Sequence, residues 1–463
     1  MVLFHAGQVV ATDDRETVQF YVRLMVILCL SLFLRVFLLA SQPASPDDYI
    51  CGISAINYME NGQLGPTMWN HPGLRNILIY WSMKVFGTGV VGVKCWSVLF
   101  GTLSTALVGL VARRIMEKPG PALLAAFFWS VDSLAIDFSR QAINDVYLAF
   151  FPLLGIFCSF RYLDTKRILW LLGAGAAFGL GLASKWSVLF QLVATILLFG
   201  YEFWRSRNAG FREILPEAFL SFAGLLILPF LVYLLTFIPW FGRGYTLSEW
   251  LILQKSMYME TAHHSRYGKP ITGDIRAAEW FVRPVTYEEA FYVAPLEGVS
   301  EKEPTLEENM VFLHVIANPL VWLLVIPSAL YTIYRGVRNR SELLLYLAAL
   351  FLFTYLPLAI TYRPIWLNTA LAVIPYALMT VAYMLWSIFW EKWMRRRFLI
   401  FYVGAVALIS AALFPVEIGK GTRIPYIRDW LVKQYEKSQG SPTHSESKGH
   451  PFPIDDSRGE HRR

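Results

Sequence analysis

Residues 168–204 read ILWLLGAGAAFGLGLASKWSVLFQLVATILLFGYEFW. Two apolar runs, 168–184 and 186–204, meet at the dipeptide Ser184-Lys185. An apolar run of about 17–25 residues is long enough to cross a bilayer as a helix. Two such runs with one polar dipeptide between them make a tight hairpin of membrane helices. The glycines Gly173, Gly175, Gly179 and Gly181 lie inside the first run. No strand precedes them, so they do not form a nucleotide loop. Small residues four apart let membrane helices approach closely, which is the role expected of them.

The same pattern extends along the 463-residue chain, of which 56% is hydrophobic, 16% aromatic and only 16% charged, with mean hydropathy +0.44. Soluble domains carry about 25% charged residues. This composition excludes a soluble enzyme, a disordered chain and a fibrous one. The expected fold class is an all-α polytopic membrane protein. Eleven spans are expected, at roughly 22–40, 93–112, 120–138, 142–160, 168–184, 186–204, 215–239, 311–334, 341–361, 365–390 and 398–414. The four cysteines, Cys29, Cys51, Cys95 and Cys158, show neither a disulfide framework nor zinc-site spacing.

The chain carries 41 Lys and Arg against 34 Asp and Glu, a net charge of +7. In a soluble protein such an excess raises nucleic acid as a partner; here the cations mark orientation, and no nucleic acid is expected. Clusters follow every second span: Arg113, Arg114 and Lys118; Arg161, Lys166 and Arg167; Arg205, Arg207 and Arg212; Arg335, Arg338 and Arg340; Lys392, Arg395, Arg396 and Arg397. Short basic loops stay cytoplasmic. The N-terminus, 1–21, is therefore expected in the cytoplasm and the polar tail, 415–463, outside. That tail holds nine basic and seven acidic residues, and its last ~25 residues read as disordered. The first apolar run begins near residue 22 and is too long for a cleavable signal. Two long outer loops are expected, 41–92 and 240–310, the second with seven Lys/Arg and eleven Asp/Glu. The domain plan is then a transmembrane catalytic module, 22–239, the acidic loop 240–310 and C-terminal helices, 311–414. Within the first loop, 76–92 reads as an interfacial amphipathic helix.

Ionisable residues near the outer face decide the function. A charge there is ordinarily a flank or a snorkelling side chain. Here Asp47 and Asp48 follow span 1, with His71 and Arg75 in the same loop; Asp137, Arg140 and Asp145 surround the next outer turn, Lys185 joins spans 5 and 6, and Arg363 joins spans 9 and 10. Buried charges are costly unless they pair or line a wet cavity. One shared polar cavity at the outer membrane surface accounts for the set. Arg140, Lys185 and Arg363 suit a phosphate, and Asp47 suits a general base. A lipid-linked sugar phosphate lies at that depth. Asp145 is also open to a structural role, pairing with Arg140 one turn away, and His71 beside Pro72 to shaping its loop.

Several short motifs carry a resemblance. They are Pro46-Asp47-Asp48-Tyr49, His71-Pro72-Gly73-Leu74, Ser139-Arg140-Gln141-Ala142-Ile143-Asn144-Asp145 and Gly181-Leu182-Ala183-Ser184-Lys185-Trp186. Further along come Trp280-Phe281-Val282-Arg283-Pro284, Ala317-Asn318-Pro319-Leu320-Val321-Trp322, and Tyr355-Leu356-Pro357 with Arg363. In this order they resemble the protein O-mannosyltransferases (glycosyltransferase family 39), GT-C enzymes that use a polyprenyl-phosphate sugar donor. The resemblance implies Asp47 as catalytic base with Asp48 beside it, and Arg140, Lys185 and Arg363 on the donor phosphate. It implies His71, Asp145, His263, His264, Arg283 and Asn318 as substrate-binding or structural residues. It implies no metal and no cofactor. The partners implied are the donor, a protein or glycan acceptor, and membrane lipid. The acidic pair is Asp-Asp where Asp-Glu is common, HPPL has become His-Pro-Gly-Leu, and Trp366-Leu367-Asn368 replaces an aromatic-histidine stretch. Loop 240–310 is too short for the β-trefoil of eukaryotic members, so a compact bacterial type in the inner membrane is expected. The implied reaction is inverting transfer of a hexose, most simply mannose, to Ser/Thr of exported protein. Transfer to a lipid or cell-wall glycan is the near alternative, and a membrane transporter or flippase is the alternative of another class.

Overall fold

Every segment expected to cross the membrane is helical over most of its length in the computed structural model, which describes residues 14–39, 46–64, 71–206, 211–267, 276–292, 310–361, 365–390, 393–414 and 417–418. Helix α1 is Asp14–Val36. The first long loop, 41–92, holds α2, Pro46–Asn61, and α3, Leu74–Phe86. Then follow α4, Val90–Met116; α5, Pro119–Val131; α6, Ser133–Phe138; α7, Asp145–Thr165; α8, Ile168–Leu182; and α9, Leu189–Arg205. Next come α10, Phe211–Phe222, and α11, Leu228–Leu235, joined by a π-helical turn, Ala223–Ile227. The short α12, Ile238–Phe241, and α13, Leu247–Tyr267, begin the second outer loop. The C-terminal part holds α14, Pro319–Trp322; α15, Val325–Asn339; α16, Glu342–Ala359; α17, Ile374–Phe389; and α18, Trp393–Ala412. The chain is a multi-pass membrane protein. Among the described residues, seven helical stretches are long and apolar enough to cross a bilayer, and 119–131, 168–182 and 374–389 are shorter apolar helices. Helix α18 opens on three arginines, Arg395, Arg396 and Arg397.

The structure refines three of the expected spans. The segment 120–138 is broken at Asp132, which ends α5 and caps α6 by accepting a hydrogen bond from the Ala135 amide at 2.9 Å. The segment 311–334 begins as strand. β1, Thr286–Tyr292, pairs antiparallel with β2, Met310–Ile316, and β2 with β3, Glu417–Ile418, giving a small sheet in an otherwise helical chain. The segment 365–390 opens with a 3-10 turn, Leu367–Ala372, before α17. The 76–92 stretch holds α3, as its amphipathic pattern suggests.

Ion pairs join the short basic loops to their neighbours. Arg114 pairs with Asp164 at 2.8 Å, Arg205 with Glu342 at 2.7 Å, and Lys166 with Glu217. Arg113, Arg114, Arg205 and Arg338 sit in the last turns of α4, α9 and α15, where cations also favour the negative end of the helix dipole. Apart from strand β3, residues 415–463, the polar tail, lie outside the described residues.

The glycine stripe is a packing surface. A Cβ on Gly175 would come to 2.1 Å from the Gly224 carbonyl oxygen, and one on Gly179 to 2.7 Å from that of Pro229. Helix α8 therefore lies against the π-helical turn and α11 at backbone distance. Gly175→Val is expected to destabilise the fold by about 1–3 kcal/mol through overpacking, read as a lower melting temperature in detergent. Gly200→Val, at a position with nothing within 4 Å, is the control, and equal melting of the two variants would contradict the packing role.

Candidate active site

The site is built around the connection 139–144 between α6 and α7. Asp132 fixes its entry: its second oxygen accepts the Trp322 indole N–H at 2.7 Å while the first caps α6. Arg35, fully buried near the end of α1, donates to Ser31 Oγ at 2.6 Å and to the Ala135 carbonyl at 3.4 Å, and lies over the Trp129 ring. Helices α1, α5, α6 and α14 are thereby tied together just before the connection begins. Ser139 Oγ donates to the Ala135 carbonyl. Its crowding against α4 leaves no room for a side chain at Gly101, whose Cβ would come to 2.1 Å from that hydroxyl.

The start of α2 docks onto this connection. Asp48 Oδ1 accepts the Ala142 amide at 2.7 Å, and Asp48 Oδ2 pairs with Lys94 Nζ at 2.8 Å. The two side chains are 3% and 1% exposed, so this is a fully buried ion pair. Such a pair forms only where each charge has its partner in place, because desolvation is costly. Asp137, also buried, accepts from Gln141 Nε2 at 3.0 Å and lies within electrostatic reach of Arg140, Lys94 and Asp48. Arg140 is buried, with its amide on the Asp137 carbonyl at 2.8 Å and its guanidinium 5.5 Å from the Phe414 ring centroid. Asp47 opens the same helix as Asp48, one residue earlier; its side chain lies outside the described residues.

Lys185 reaches the other end of the connection. Its ammonium pairs with Asp145 Oδ1 at 2.8 Å and donates to Thr369 Oγ1 at 3.2 Å. The lysine side chain keeps 23% of its surface exposed while Asp145 keeps 6%, so the lysine is partly open where the carboxylate is buried. The ion pair of Asp145 is thus with Lys185, where the sequence spacing suggested Arg140. The hairpin also holds the first outer loop: the Leu74 amide donates to the Ala183 carbonyl at 3.2 Å. His71 is half-buried at the start of that contact. Gly73 has no alternative here, because a Cβ would sit 2.4 Å from the Tyr58 ring. That contact accounts for glycine in His-Pro-Gly-Leu. Tyr58 in turn donates to the Thr236 carbonyl at 2.7 Å.

The later motifs form a support. Phe281 packs on Trp322 at 5.1 Å and on Tyr355 at 5.2 Å between ring centroids. One cluster thereby joins the Trp-x-x-Arg-Pro, Asn-Pro-x-x-Trp and Tyr-Leu-Pro segments. Arg283 points to solvent and pairs with Glu279. Asn318 is buried, caps α14 through Leu320, and donates to the Val406 carbonyl and Ser410 Oγ at 3.1 and 2.9 Å. It is a structural clamp on α18. His263 and His264 fall on α13, with side chains outside the described residues, and Arg363 lies outside them altogether. Among the described residues, no group of three or more His, Cys, Asp or Glu is arranged to hold a metal ion.

Lys94 and Thr369 are the residues that sequence reading passed over. Lys94 sits at the edge of an expected span, where an intramembrane cation is itself a functional signal. Thr369 carries no signal, since a threonine after a loop is ordinary.

Comparison with known proteins agrees with this layout. Residues 64–242 match the family of dolichyl-phosphate-mannose-protein mannosyltransferases. A polyprenol-phosphate-mannose–protein mannosyltransferase of Mycobacterium tuberculosis is 26% identical over 205 residues, 37% of this chain and 38% of that protein. The chain thus spans little more than a third of the length of that curated relative. Among solved structures, a chain of the S. cerevisiae protein O-mannosyltransferase Pmt1-Pmt2 complex bound to the sugar donor superposes with TM-score 0.63 at 13% identity, covering 93% of each chain. The Archaeoglobus fulgidus oligosaccharyltransferase superposes with TM-score 0.54 at 13% identity, covering 94% of this chain and 61% of its own. The fold is that of the GT-C glycosyltransferases, and the resemblance to the O-mannosyltransferase family is borne out over 64–242.

Removing one partner of a buried pair leaves the other charge stranded. Lys94→Ala is expected to destabilise by about 3–5 kcal/mol, and the joint Asp48→Leu, Lys94→Met replacement by distinctly less. Thermal unfolding of the three proteins checks this, and a Lys94→Ala variant as stable as the parent would contradict the pairing.

Proposed function

We propose that this protein is a polyprenyl-phosphate-sugar-dependent glycosyltransferase that works at the extracytoplasmic face of the membrane with inversion at the sugar carbon. The observation that carries the reading is the partly open ammonium of Lys185, held by Asp145 at 2.8 Å at one end of the connection whose other end anchors Asp48 and Arg140. A partly exposed lysine beside a buried carboxylate is suited to receive a phosphate. The mannosyltransferase match over 64–242, which takes in the Arg140 and Lys185 motifs, supports the same assignment.

In this mechanism Asp47 takes the proton of the acceptor hydroxyl as its oxygen attacks the anomeric carbon. The bond from that carbon to the phosphate oxygen breaks on the opposite face. The charge that builds on the leaving polyprenyl phosphate is met by Arg140, Lys185 and Arg363, which favours the transition state over the bound donor. One carboxylate suffices because the phosphate leaves as an anion and needs no general acid, unlike a glycoside leaving group. Asp48, with both oxygens engaged, holds the start of α2 in place and so aims its neighbour. His71, His263 and His264 belong to the acceptor side, and Arg283 and Asn318 support the fold. The donor sugar is mannose and the acceptor Ser/Thr of exported protein, in keeping with the name of the mycobacterial relative. The chain crosses the inner membrane about eleven times. Its N-terminus and basic loops lie in the cytoplasm and its C-terminus outside, as the charge pattern requires.

Membranes containing the full chain, incubated with labelled polyprenyl-phosphate mannose and an exported acceptor protein, are expected to yield O-mannosylated Ser/Thr by mass spectrometry. Asp47→Asn should lower the rate by about 10²–10⁴-fold or more while donor binding persists. Lys185→Met should weaken donor binding itself. Full transfer by Asp47→Asn would refute its role. Uptake of the lipid into proteoliposomes without any glycosylated product would favour a transporter.

A further inference from the structure

Two asparagines, each next in sequence to a partner of Lys185, are unexplained by the fold. Asn144 is 3% exposed, and neither its Oδ1 nor its Nδ2 has a hydrogen-bond partner. It occupies the N-cap of α7, yet its side chain makes no cap bond, so the usual reason for an asparagine there does not apply. Asn368 likewise has a buried Oδ1 without a partner. Buried polar groups are nearly always paired, and an unpaired one is destabilising. A pair of such groups next to a functional cation points to a ligand that satisfies them.

Their placement says which part of the ligand. Asn144 immediately precedes Asp145, which holds the ammonium at 2.8 Å, and Asn368 immediately precedes Thr369, which accepts from it at 3.2 Å. The two asparagines are therefore the chain neighbours of the two residues that hold one ammonium, on two different elements, the head of α7 and the 3-10 turn Leu367–Ala372. A phosphate that binds Lys185 competes with Asp145 for the same ammonium. The sugar is separated from that phosphorus by a single bridging oxygen, so it falls within reach of the residues adjoining Asp145 and Thr369. A carboxamide both donates and accepts, as does a sugar hydroxyl. Asn368 also lies in the Trp366-Leu367-Asn368 stretch, where this chain departs from the motifs it otherwise resembles.

We infer that the Asn144 and Asn368 carboxamides hydrogen-bond the hydroxyls of the donor hexose and set which hexose is accepted, an inference that rests on the donor-site reading above. A site built to pair a particular hydroxyl discriminates strongly, because a donor with that hydroxyl displaced leaves the amide unpaired again.

The test uses the full chain in lipid nanodiscs with polyprenyl-phosphate mannose, glucose and galactose, and with sugar-free polyprenyl phosphate. Asn144→Ala and Asn368→Ala are each expected to lower kcat/KM for the preferred hexose by about tenfold. Each should narrow the ratio between donors and bind the sugar-free lipid phosphate as the parent does. Asn144→Ser and Asn368→Ser, which replace the carboxamide with a shorter hydroxyl able to donate and accept, should fall between. Variants that keep the parent's donor ratio would overturn the inference. So would variants that lose the sugar-free lipid phosphate together with activity, since the asparagines would then serve packing. Absence of transfer from all three donors by the parent would instead refute the donor-site reading, and the inference with it.

Discussion

The ion pair between Asp48 and Lys94 fixes where the first outer loop meets the helical bundle, and the geometry of the whole site follows from it. The pair is buried on both sides, 3% and 1% exposed, so neither residue can move away without stranding the other in an apolar surrounding. A bond from the Ala142 amide to the same carboxylate, at 2.7 Å, then locks α2 to the α6–α7 connection. The second pair, Lys185 with Asp145, closes the other end of the connection but leaves its cation partly open. One pair is thus sealed and positions the chain; the other is accessible and is suited to exchange its partner for a ligand.

The supporting parts obey the same constraint. Arg35 and Asp132 are buried among apolar helices, and each meets donors or acceptors: Ser31 and the Ala135 carbonyl for Arg35, the Ala135 amide and the Trp322 indole for Asp132. Polar groups here act as joints between helices, because in a bundle flanked by lipid tails hydrophobic burial alone does little to bring helices together. The glycine-lined face of α8 supplies the complementary device, close backbone packing. The aromatic cluster of Phe281, Trp322 and Tyr355 covers the outer end with rings and needs few polar groups.

Much of this was legible in the sequence. Apolar runs announce membrane helices through length alone, and the basic clusters divide the loops into two sets whatever the detailed packing. Asp48, Arg140, Asp145 and Lys185 were visible because a charge beside an apolar run is conspicuous. Three kinds of feature were not. Pairing across long separations, such as Asp48 with Lys94 or Lys185 with Thr369, depends on helix rotation, which hydropathy does not specify. The break at Asp132 was hidden by its apolar flanks, although Asp-Ser ahead of an apolar run is a helix-start signal. The strand at 310–316 was masked because a β-branched apolar run reads equally as helix. Uncharged residues such as Asn144 and Asn368 stand out only once their surroundings are known.

The central proposal is that Arg140 and Lys185, near the two ends of the α6–α7 connection, receive the phosphate of a lipid-linked sugar. Photocrosslinking tests it most directly: a polyprenyl-phosphate analogue carrying its photoreactive group beside the phosphate, reacted with the full chain in nanodiscs and mapped by peptide mass spectrometry. The account predicts labelling within 137–145, 183–186 and 366–372, suppressed by unlabelled polyprenyl phosphate and by Lys185→Met. Labelling confined to the basic loops around Arg114, Lys166 and Arg205 would contradict it.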